Sequence, residues 1–222
     1  MRLFLDTADL AEIRWALATG LIDGVTTNPS LLARELVESE PFTHVAEICE
    51  AVDGPVTVQV ISIEADGMYR EGRELARIAD NVVVEIPMIE EGLIATRRLV
   101  ADGVRVNVTL VFNAAQALLA ARAGASFVSP FVGRLDDIGV DGAVMLADVR
   151  EVFDRSAFEC EIVASSIRSP RRFLDAARVG ADAVAVPPAV LRALLVHPLT
   201  DLGLDRFLNE WSQRIARTRS GS

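Results

Sequence analysis

The chain has 222 residues, which suits one large domain or two small ones. Hydrophobic residues make up 51% and charged residues 24%, so it can bury a sizeable core, yet no stretch reaches the ~18–20 uninterrupted apolar residues of a membrane span. The net charge of −10 argues against nucleic acid as a partner.

Short β-branched runs alternate with longer helical patterns along the whole chain. We predict strands at residues 2–6, 24–27, 56–62, 82–86, 105–110, 127–129, 162–164 and 183–186. Helical periodicity is clearest at residues 8–18, 64–79, 90–101, 113–123 and 141–154. Several strands are near-continuous apolar runs, which is typical of a parallel sheet that is covered on both faces.

Eight strand–helix units in this length predict an α/β fold, a closed (β/α)₈ TIM barrel that forms one domain over residues 1–222. An open doubly wound sheet is the alternative, but no Gly-x-Gly-x-x-Gly follows the first strand to support a dinucleotide site. A last helix at residues 200–217 carries an apolar side made of Leu202, Leu204, Phe207, Leu208, Trp211 and Ile215. Packing on its own barrel is the simple explanation, and docking on a neighbouring subunit is the more specific one.

The N-terminus runs directly into a strand pattern and lacks the apolar run and cleavage site of a signal peptide, which predicts a cytoplasmic protein. Cys49 and Cys160 have no metal-ligand spacing, so we predict two reduced thiols rather than a disulfide or a zinc site. Neither a cofactor nor a resident metal is expected.

Polar residues occupy several predicted strand ends, which form the active face of a barrel of this kind. They are Asp6, Gln59, Glu85 and Thr109. Inward-facing strand residues are usually apolar, and a single polar one would most often be a satisfied structural group. Four at one level of the barrel favour a functional site.

Two arginines follow strand ends on adjacent strands, Arg134 and Arg168. The planar guanidinium group can bind two phosphate oxygens at once. A surface salt bridge is the ordinary role for any one of 22 arginines. A pair beside Ser129 and Ser166, over a barrel mouth, indicates an anion site.

Other polar residues give no sign of nucleophilic hydrolysis. His44 and His197 have no acid or nucleophile at useful spacing, and the Gly-x-Ser-x-Gly motif of serine hydrolases is absent. Asp136 and Asp137 are expected to pin the loop after Arg134 rather than take part in chemistry.

Five segments carry a resemblance to a known family: LDTA at 5–8, GVTTNPS at 24–30, NVTLVF at 107–112, SPFVGR at 129–134 and ASSIR at 164–168. In this order they resemble the small-subunit transaldolases and the related fructose-6-phosphate aldolases. The resemblance covers nearly the whole chain, including HPLTD at 197–201. It implies a (β/α)₈ barrel that uses a lysine on the fourth strand to form a Schiff base with a ketose phosphate.

The resemblance also implies roles for individual residues. Asp6 would be an acid/base, and Thr109 with Gln59 would hold the catalytic water. Substrate contacts would come from Asn28, Ser129, Phe131 and Ser166, and the phosphate would be bound by Arg134 and Arg168.

Two positions mix the branches of the family. Phe131 is similar to the transaldolases, since the aldolases tend to have tyrosine there. Gln59 is closer to the aldolases, since transaldolases tend to have glutamate. The resemblance further implies a ring-shaped homo-oligomer, of which a decamer is one form, with the C-terminal helix on a neighbour.

Glu85 stands where the family has its Schiff-base lysine. All 22 basic residues of the chain are arginine, and it contains no lysine. An imine needs a side-chain primary amine, whereas the guanidinium group stays protonated, so we expect no imine through a side chain. If Glu85 and Asp6 both point inward, two carboxylates share one low-dielectric cavity and one pKa should rise, which suits a general acid or base.

Three interpretations stay open. In the first, the protein binds a ketose or aldose phosphate and catalyses enolisation or retro-aldol cleavage without an imine, with Glu85 as the base. In the second, Asp6 and Glu85 bind a divalent metal that polarises the carbonyl, although an oxygen-only site would be weak. In the third, the chain is a catalytically inactive relative that serves as a sugar-phosphate binding or assembly subunit.

Overall fold

The computed structural model describes residues 1–35 and 41–220, with side chains as far as Ile215. Its strands are β1 (Arg2–Asp6), β2 (Gly24–Thr26), β3 (Val56–Gln59), β4 (Val82–Pro87), β5 (Val106–Val111), β6 (Phe127–Pro130), β7 (Glu161–Ala164) and β8 (Ala183–Val186). Its helices are α1 (Leu10–Ala18), α2 (Pro29–Glu35), α3 (Pro41–Ala51), α4 (Ala65–Leu75), α5 (Glu90–Ala101), α6 (Ala114–Arg122), α7 (Val132–Asp137), α8 (Gly142–Asp154), α9 (Pro170–Val179), α10 (Pro188–Leu195) and α11 (Pro198–Ser220).

The eight strands pair in chain order, all parallel, and β8 closes on β1. The predicted (β/α)₈ barrel is therefore confirmed, and the open doubly wound alternative is wrong. The predicted extent of the domain, residues 1–222, stays a prediction, since residues 36–40 and 221–222 lie outside the described ones.

Alternation of side chains along each strand separates two cores. Residues that point outward meet the helices in one large apolar cluster, to which Leu5, Val84 and Val128 belong. Residues that point inward form a second cluster, made of Phe4, Val83, Phe127, Val163, Ala183 and Ala185. Two residues further along β1 and β4, the same inward face presents Asp6 and Glu85, so the apolar cluster forms a floor beneath a polar layer.

Several boundaries differ from the predictions. Strand β3 ends at Gln59 rather than at residue 62, because the Glu71 carboxylate accepts hydrogen bonds from the amides of Ile61 (2.7 Å) and Ser62 (3.1 Å) and holds them off the sheet. Helix α4 ends at Leu75 rather than at residue 79. Helices α2, α3, α7, α9 and α10 were not among the clearest helical patterns.

The apolar face of α11 is exposed to solvent. Leu202, Phe207, Leu208 and Trp211 are all more than 60% exposed. The expectation that this face packs on its own barrel is therefore wrong: the helix projects its apolar residues away from the chain's own core. Among the described residues, no helix combines the length and apolar character needed to cross a membrane.

Candidate functional site

A cavity of about 520 Å³ opens at the carboxyl ends of the strands. Nine of the ten predicted site residues line it: Asp6, Asn28, Gln59, Glu85, Ser129, Phe131, Arg134, Ser166 and Arg168. The tenth, Thr109, is fully buried on β5, on the same inward face as Asn107. The fold thus brings the predicted residues together, while the role of each stays a prediction.

Glu85 lies at the end of a short hydrogen-bonded series across β4, β5 and β6. The pairing register places it between Gln59 of β3 and Asn107 of β5. The Asn107 amide donates to Glu85 Oε2 over a long 3.4 Å, and the Ser129 hydroxyl donates to Asn107 Oδ1 at 3.0 Å. Asn107 and Ser129 therefore fix the orientation of a carboxyl group that is only 6% exposed.

Burial raises the pKa of Glu85 to about 8, because a carboxylate loses its hydration inside the barrel. The nearby Asp6 charge raises that pKa further, while the Thr109 hydroxyl and the Asn107 amide lower it. Thr109 Oγ1 faces the carboxyl closely enough to affect its ionisation, but makes no hydrogen bond of ordinary geometry with any described residue. Rotation of this hydroxyl about its C–O bond can direct its proton at the Glu85 carboxyl.

Asp6 is the second acidic residue of the cavity. Burial raises its pKa, and a 3.0 Å hydrogen bond from the Thr26 hydroxyl to Oδ1 lowers it in part. The negative charge of Asp6 is one cause of the raised pKa of Glu85, which indicates that Asp6 is the ionised member of the pair while Glu85 retains its proton. Two carboxyl groups held in different protonation states are an arrangement suited to acid–base chemistry.

The loops after β6 and β7 hold Arg134 and Arg168 at the cavity rim. The Gly133 amide donates to the Ser166 carbonyl at 3.0 Å, and a Cβ at position 133 would lie 2.2 Å from that oxygen. Only glycine permits this approach. The glycine therefore brings the two arginine-bearing loops together.

The two arginines differ in their partners. Arg168 pairs with Asp137 at 2.5 Å, so Asp137 pins this loop as expected. The guanidinium group of Arg134 lies 5.2 Å from the ring centroid of Phe131, and none of the described carboxylates pairs with it. Arg134 can therefore bind an anion without giving up an ion pair with a described residue. Arg168 can bind one either by releasing Asp137 or by contacting the anion and Asp137 together.

Asn28 has a structural task as well as its predicted one. Its Oδ1 accepts a hydrogen bond from the Leu31 amide at 3.0 Å, which caps the start of α2. The side-chain NH₂ of Asn28 donates no hydrogen bond to a described residue and lies on the lining of the cavity. Asn28 can therefore cap the helix and donate to a substrate oxygen at once.

Two residues in the cavity lining have strained backbones. Leu110 and Ser166 both have a φ of 58°, a region that side chains other than those of asparagine and aspartate rarely adopt. Leu110 lies where the β5–β6 register shifts between Val108 and Val111. Strain of this kind costs roughly 1–3 kcal/mol per residue and persists where the surrounding structure enforces it, often at functional sites.

Sequence reasoning missed Arg34. It lies on α2 and lines the same cavity, on the side opposite Arg134 and Arg168. Ser30, Leu31 and Arg34 share one helical face by their spacing of three and four residues, and all three line the cavity. That spacing, directly after the Asn28–Pro29 helix start, was the signal available in the sequence.

The two histidines and two cysteines stand apart from the cavity. His44 is buried and its Nε2 lies 2.7 Å from the Ala8 carbonyl oxygen, while His197 is exposed. Burial raises the pKa of Cys49 to about 11 and that of Cys160 to about 12, and both thiols are free. Across the described ranges, no three histidine, cysteine or acidic side chains converge as a metal site would require.

Comparison with known proteins points to one family. Residues 3–219 match the family described as Transaldolase/Fructose-6-phosphate aldolase. A protein named probable transaldolase from Hyphomonas neptunium is 56% identical over 209 residues, which cover 94% of this chain and 95% of that protein. Proteins of the same name from Rhodospirillum centenum and Desulfotalea psychrophila are 54% and 51% identical, each over 96% of this chain and over 92% and 99% of their own lengths.

Proposed function

The chain belongs to the transaldolase/fructose-6-phosphate aldolase family, and from this premise we propose that it binds sugar phosphates in the barrel cavity and acts on their carbonyl group without an imine. Glu85 and Asp6 are the proposed acid–base pair. The observation that carries the proposal is the buried Glu85 carboxyl, whose pKa of about 8 keeps it protonated at neutral pH, in the same cavity as a second carboxyl.

The proposed chemistry is a proton transfer. Ionised Asp6 takes a proton from the carbon next to the carbonyl, the C–H electrons form a C=C bond, and the carbonyl oxygen takes the proton of Glu85. The product is an enediol, with Asp6 now protonated and Glu85 ionised. Because its raised pKa leaves Glu85 protonated at the start of the reaction, it acts first as the acid. The sequence alone had led us to expect Glu85 as the base.

Arg134 and Arg168 are proposed to hold the phosphate, with Ser129 and Ser166 near the sugar hydroxyls. The arginines lie at the rim and the carboxyl groups in the polar layer beneath it, so a phosphate bound at the rim would present the sugar chain to the two carboxyl groups. Gln59 and Thr109 are proposed to position water, since Gln59 is the register partner of Glu85 on β3 and the Thr109 hydroxyl faces the Glu85 carboxyl without a hydrogen bond of ordinary geometry.

A catalytically inactive binding subunit is the second candidate. The Ser129–Asn107–Glu85 series of hydrogen bonds favours it, because a purely structural carboxyl group would be satisfied in the same way. Both candidates retain sugar-phosphate binding and differ only in turnover.

Binding and turnover can be separated with a panel of sugar phosphates. We expect the unmodified protein to melt at a higher temperature in the presence of fructose 6-phosphate, since a ligand of the folded state stabilises it. We expect Glu85→Gln to keep this stabilisation and to lose turnover by about 10²–10⁴-fold, the usual contribution of a positioned acid or base. Stabilisation without turnover would favour the inactive candidate, and no stabilisation by any member of the panel would refute both.

Arg134→Ala tests the phosphate site. Because a hydrogen bond to a charged group contributes about 1.5–3 kcal/mol, we expect the Kd for fructose 6-phosphate to rise about tenfold or more in isothermal titration. The melting temperature should change little, because Arg134 is exposed and pairs with no described carboxylate. Arg122→Ala, on the exposed end of α6 away from the cavity, is the matched control. An unchanged Kd in Arg134→Ala contradicts the phosphate role.

The exposed apolar face of α11 is proposed to dock on a second copy of this chain, giving a homo-oligomer. Trp211 and Phe207 are 64% and 67% exposed, and exposed patches of this kind mark interaction surfaces. We expect Trp211→Asp to reduce the assembly mass measured by light scattering, because it places a charge in the interface. Gln213→Asp adds the same charge at an exposed polar position nearby. A monomeric unmodified protein at micromolar concentration contradicts the proposal.

A cytoplasmic location is proposed from the two cysteines. Both are buried and unpaired, which fits a reducing compartment.

A further inference from the structure

Arg34 is the cavity-lining arginine that the proposed chemistry leaves without a task. It is exposed and lies near the end of α2, directly after the Asn28 turn. Among the described residues, no carboxylate pairs with it, although many arginines of this acidic chain have such a partner. Within residues 1–35 and 41–220, Asp6 and Glu85 are the only acidic residues in the cavity lining, and both lie on strands of the barrel rather than on the helices of the rim.

The barrel places Arg34 across the cavity from the other two arginines. Arg34 follows β2, while Arg134 follows β6 and Arg168 follows β7. In a closed barrel whose eight strands pair in chain order, β2 and β6 lie half a turn apart. Eight strands spaced ~4.8 Å apart and tilted by ~36° close into a ring about 15 Å across. Because arginine side chains extend inward from both sides, a short extended sugar chain can span the distance that remains between them.

The two sides of the rim therefore present positive charge with the carboxyl pair between them. We propose that this cavity accepts sugar derivatives with an anionic group at each end, such as bisphosphates or phosphorylated sugar acids, and that Arg34 binds the second anionic group. The inference rests on the proposed function, since it assigns the first phosphate to Arg134 and Arg168. It adds a specificity-determining residue and narrows the substrate class.

Electrostatics gives the second anionic group a clear preference for this side. A ligand held by its phosphate at Arg134 presents its far end to α2, where Ser30 offers a hydroxyl donor on the same helix as Arg34. A ligand with a neutral far end would leave the Arg34 guanidinium group solvated, and that end would add little binding free energy. A phosphate or carboxylate there gains charge-assisted hydrogen bonds.

The test compares ligands with one and with two anionic ends. Isothermal titration at fixed ionic strength would use fructose 6-phosphate, fructose 1,6-bisphosphate and 6-phosphogluconate as probes, with the unmodified protein and with Arg34→Gln, Arg134→Ala and Arg122→Gln. We expect Arg34→Gln to raise the Kd for fructose 1,6-bisphosphate about tenfold or more, and that for fructose 6-phosphate less than about twofold. Arg134→Ala should weaken the binding of all three probes, and Arg122→Gln, which removes a charge at the opposite end of the barrel, that of none.

The outcomes separate this inference from the proposed function. If Arg34→Gln raises the Kd for 6-phosphogluconate as much as that for fructose 1,6-bisphosphate, the second anion can be a carboxylate. If it raises only the Kd for fructose 1,6-bisphosphate, the second anion is a phosphate. If Arg34→Gln changes the Kd of one-ended and two-ended ligands equally, or changes neither, the second anion site is refuted while sugar-phosphate binding stands. If the unmodified protein binds none of the probes, the proposed function itself fails.

Discussion

Glu85→Lys is expected to turn a protein that forms no ketose adduct into one that forms a single adduct per chain. The change introduces the only lysine, in the lining of the cavity and within electrostatic range of Asp6. Burial lowers the pKa of a lysine amine and makes it nucleophilic, and a carbonyl substrate then forms an imine with it. Borohydride reduction with dihydroxyacetone or fructose 6-phosphate should add the mass of one reduced ketose to the Glu85→Lys protein and none to the unmodified protein.

The absence of other lysines makes this experiment specific. The remaining amine is the N-terminal one, and peptide mapping separates it from position 85. Arg122→Lys supplies the matched control, since it also introduces one lysine but on an exposed helix end. A folded Glu85→Lys protein that traps no ketose would contradict the placement of the carbonyl site, and an adduct on a side chain of the unmodified protein would contradict the non-imine proposal.

The second large effect concerns stability and pH. The pKa of Glu85 is about 8 in the folded protein against an ordinary value of 4.5, so ionisation of this carboxyl opposes folding. Stability from this group is fully present below pH 4.5, falls as the pH rises towards 8, and is lost above pH 8. The difference in pKa corresponds to about 5 kcal/mol as an upper limit.

Glu85→Gln removes this cost because the amide cannot ionise. We therefore expect the variant to melt at a temperature roughly 10 °C above the unmodified protein at pH 9, with the gap closing towards pH 5. The pH dependence of stability that comes from the raised pKa of Asp6 remains in both proteins. Glu47→Gln, at an exposed position of α3, controls for the loss of one charge. A gap that is the same at pH 5 and pH 9 would show that Glu85 does not hold its proton in the folded state.

Much of the fold could be predicted because the barrel strands are short apolar runs with few competing interpretations. The end of β3 could not, since it depends on a contact with Glu71, a residue of the following helix. Helix α9 was missed because it is largely polar, with three arginines and one aspartate among its ten residues. Its boundary signals were present nonetheless: the Ser169 hydroxyl caps its start and Gly180, with a φ of 82°, ends it.

The candidate site was predictable where strand alternation and loop position determine it. Glu85 and Asp6 face inward because each lies two residues beyond an inward-facing apolar residue, Val83 and Phe4. The left-handed backbone at Leu110 was not predictable, since it follows from the β5–β6 register. Nor was the exposure of the α11 face, because periodicity reveals an apolar side but not what covers it.

Hydrogen exchange at the substrate carbon tests the central claim most directly. In D₂O, the unmodified protein should incorporate deuterium from solvent into fructose 6-phosphate or dihydroxyacetone phosphate next to the carbonyl, without inactivation by borohydride, and Glu85→Gln should lose this exchange by about 10²–10⁴-fold. Proton NMR measures the incorporation. No exchange above the protein-free rate, or equal exchange by the unmodified protein and Glu85→Gln, would contradict a role for the buried carboxyl as the acid of this site.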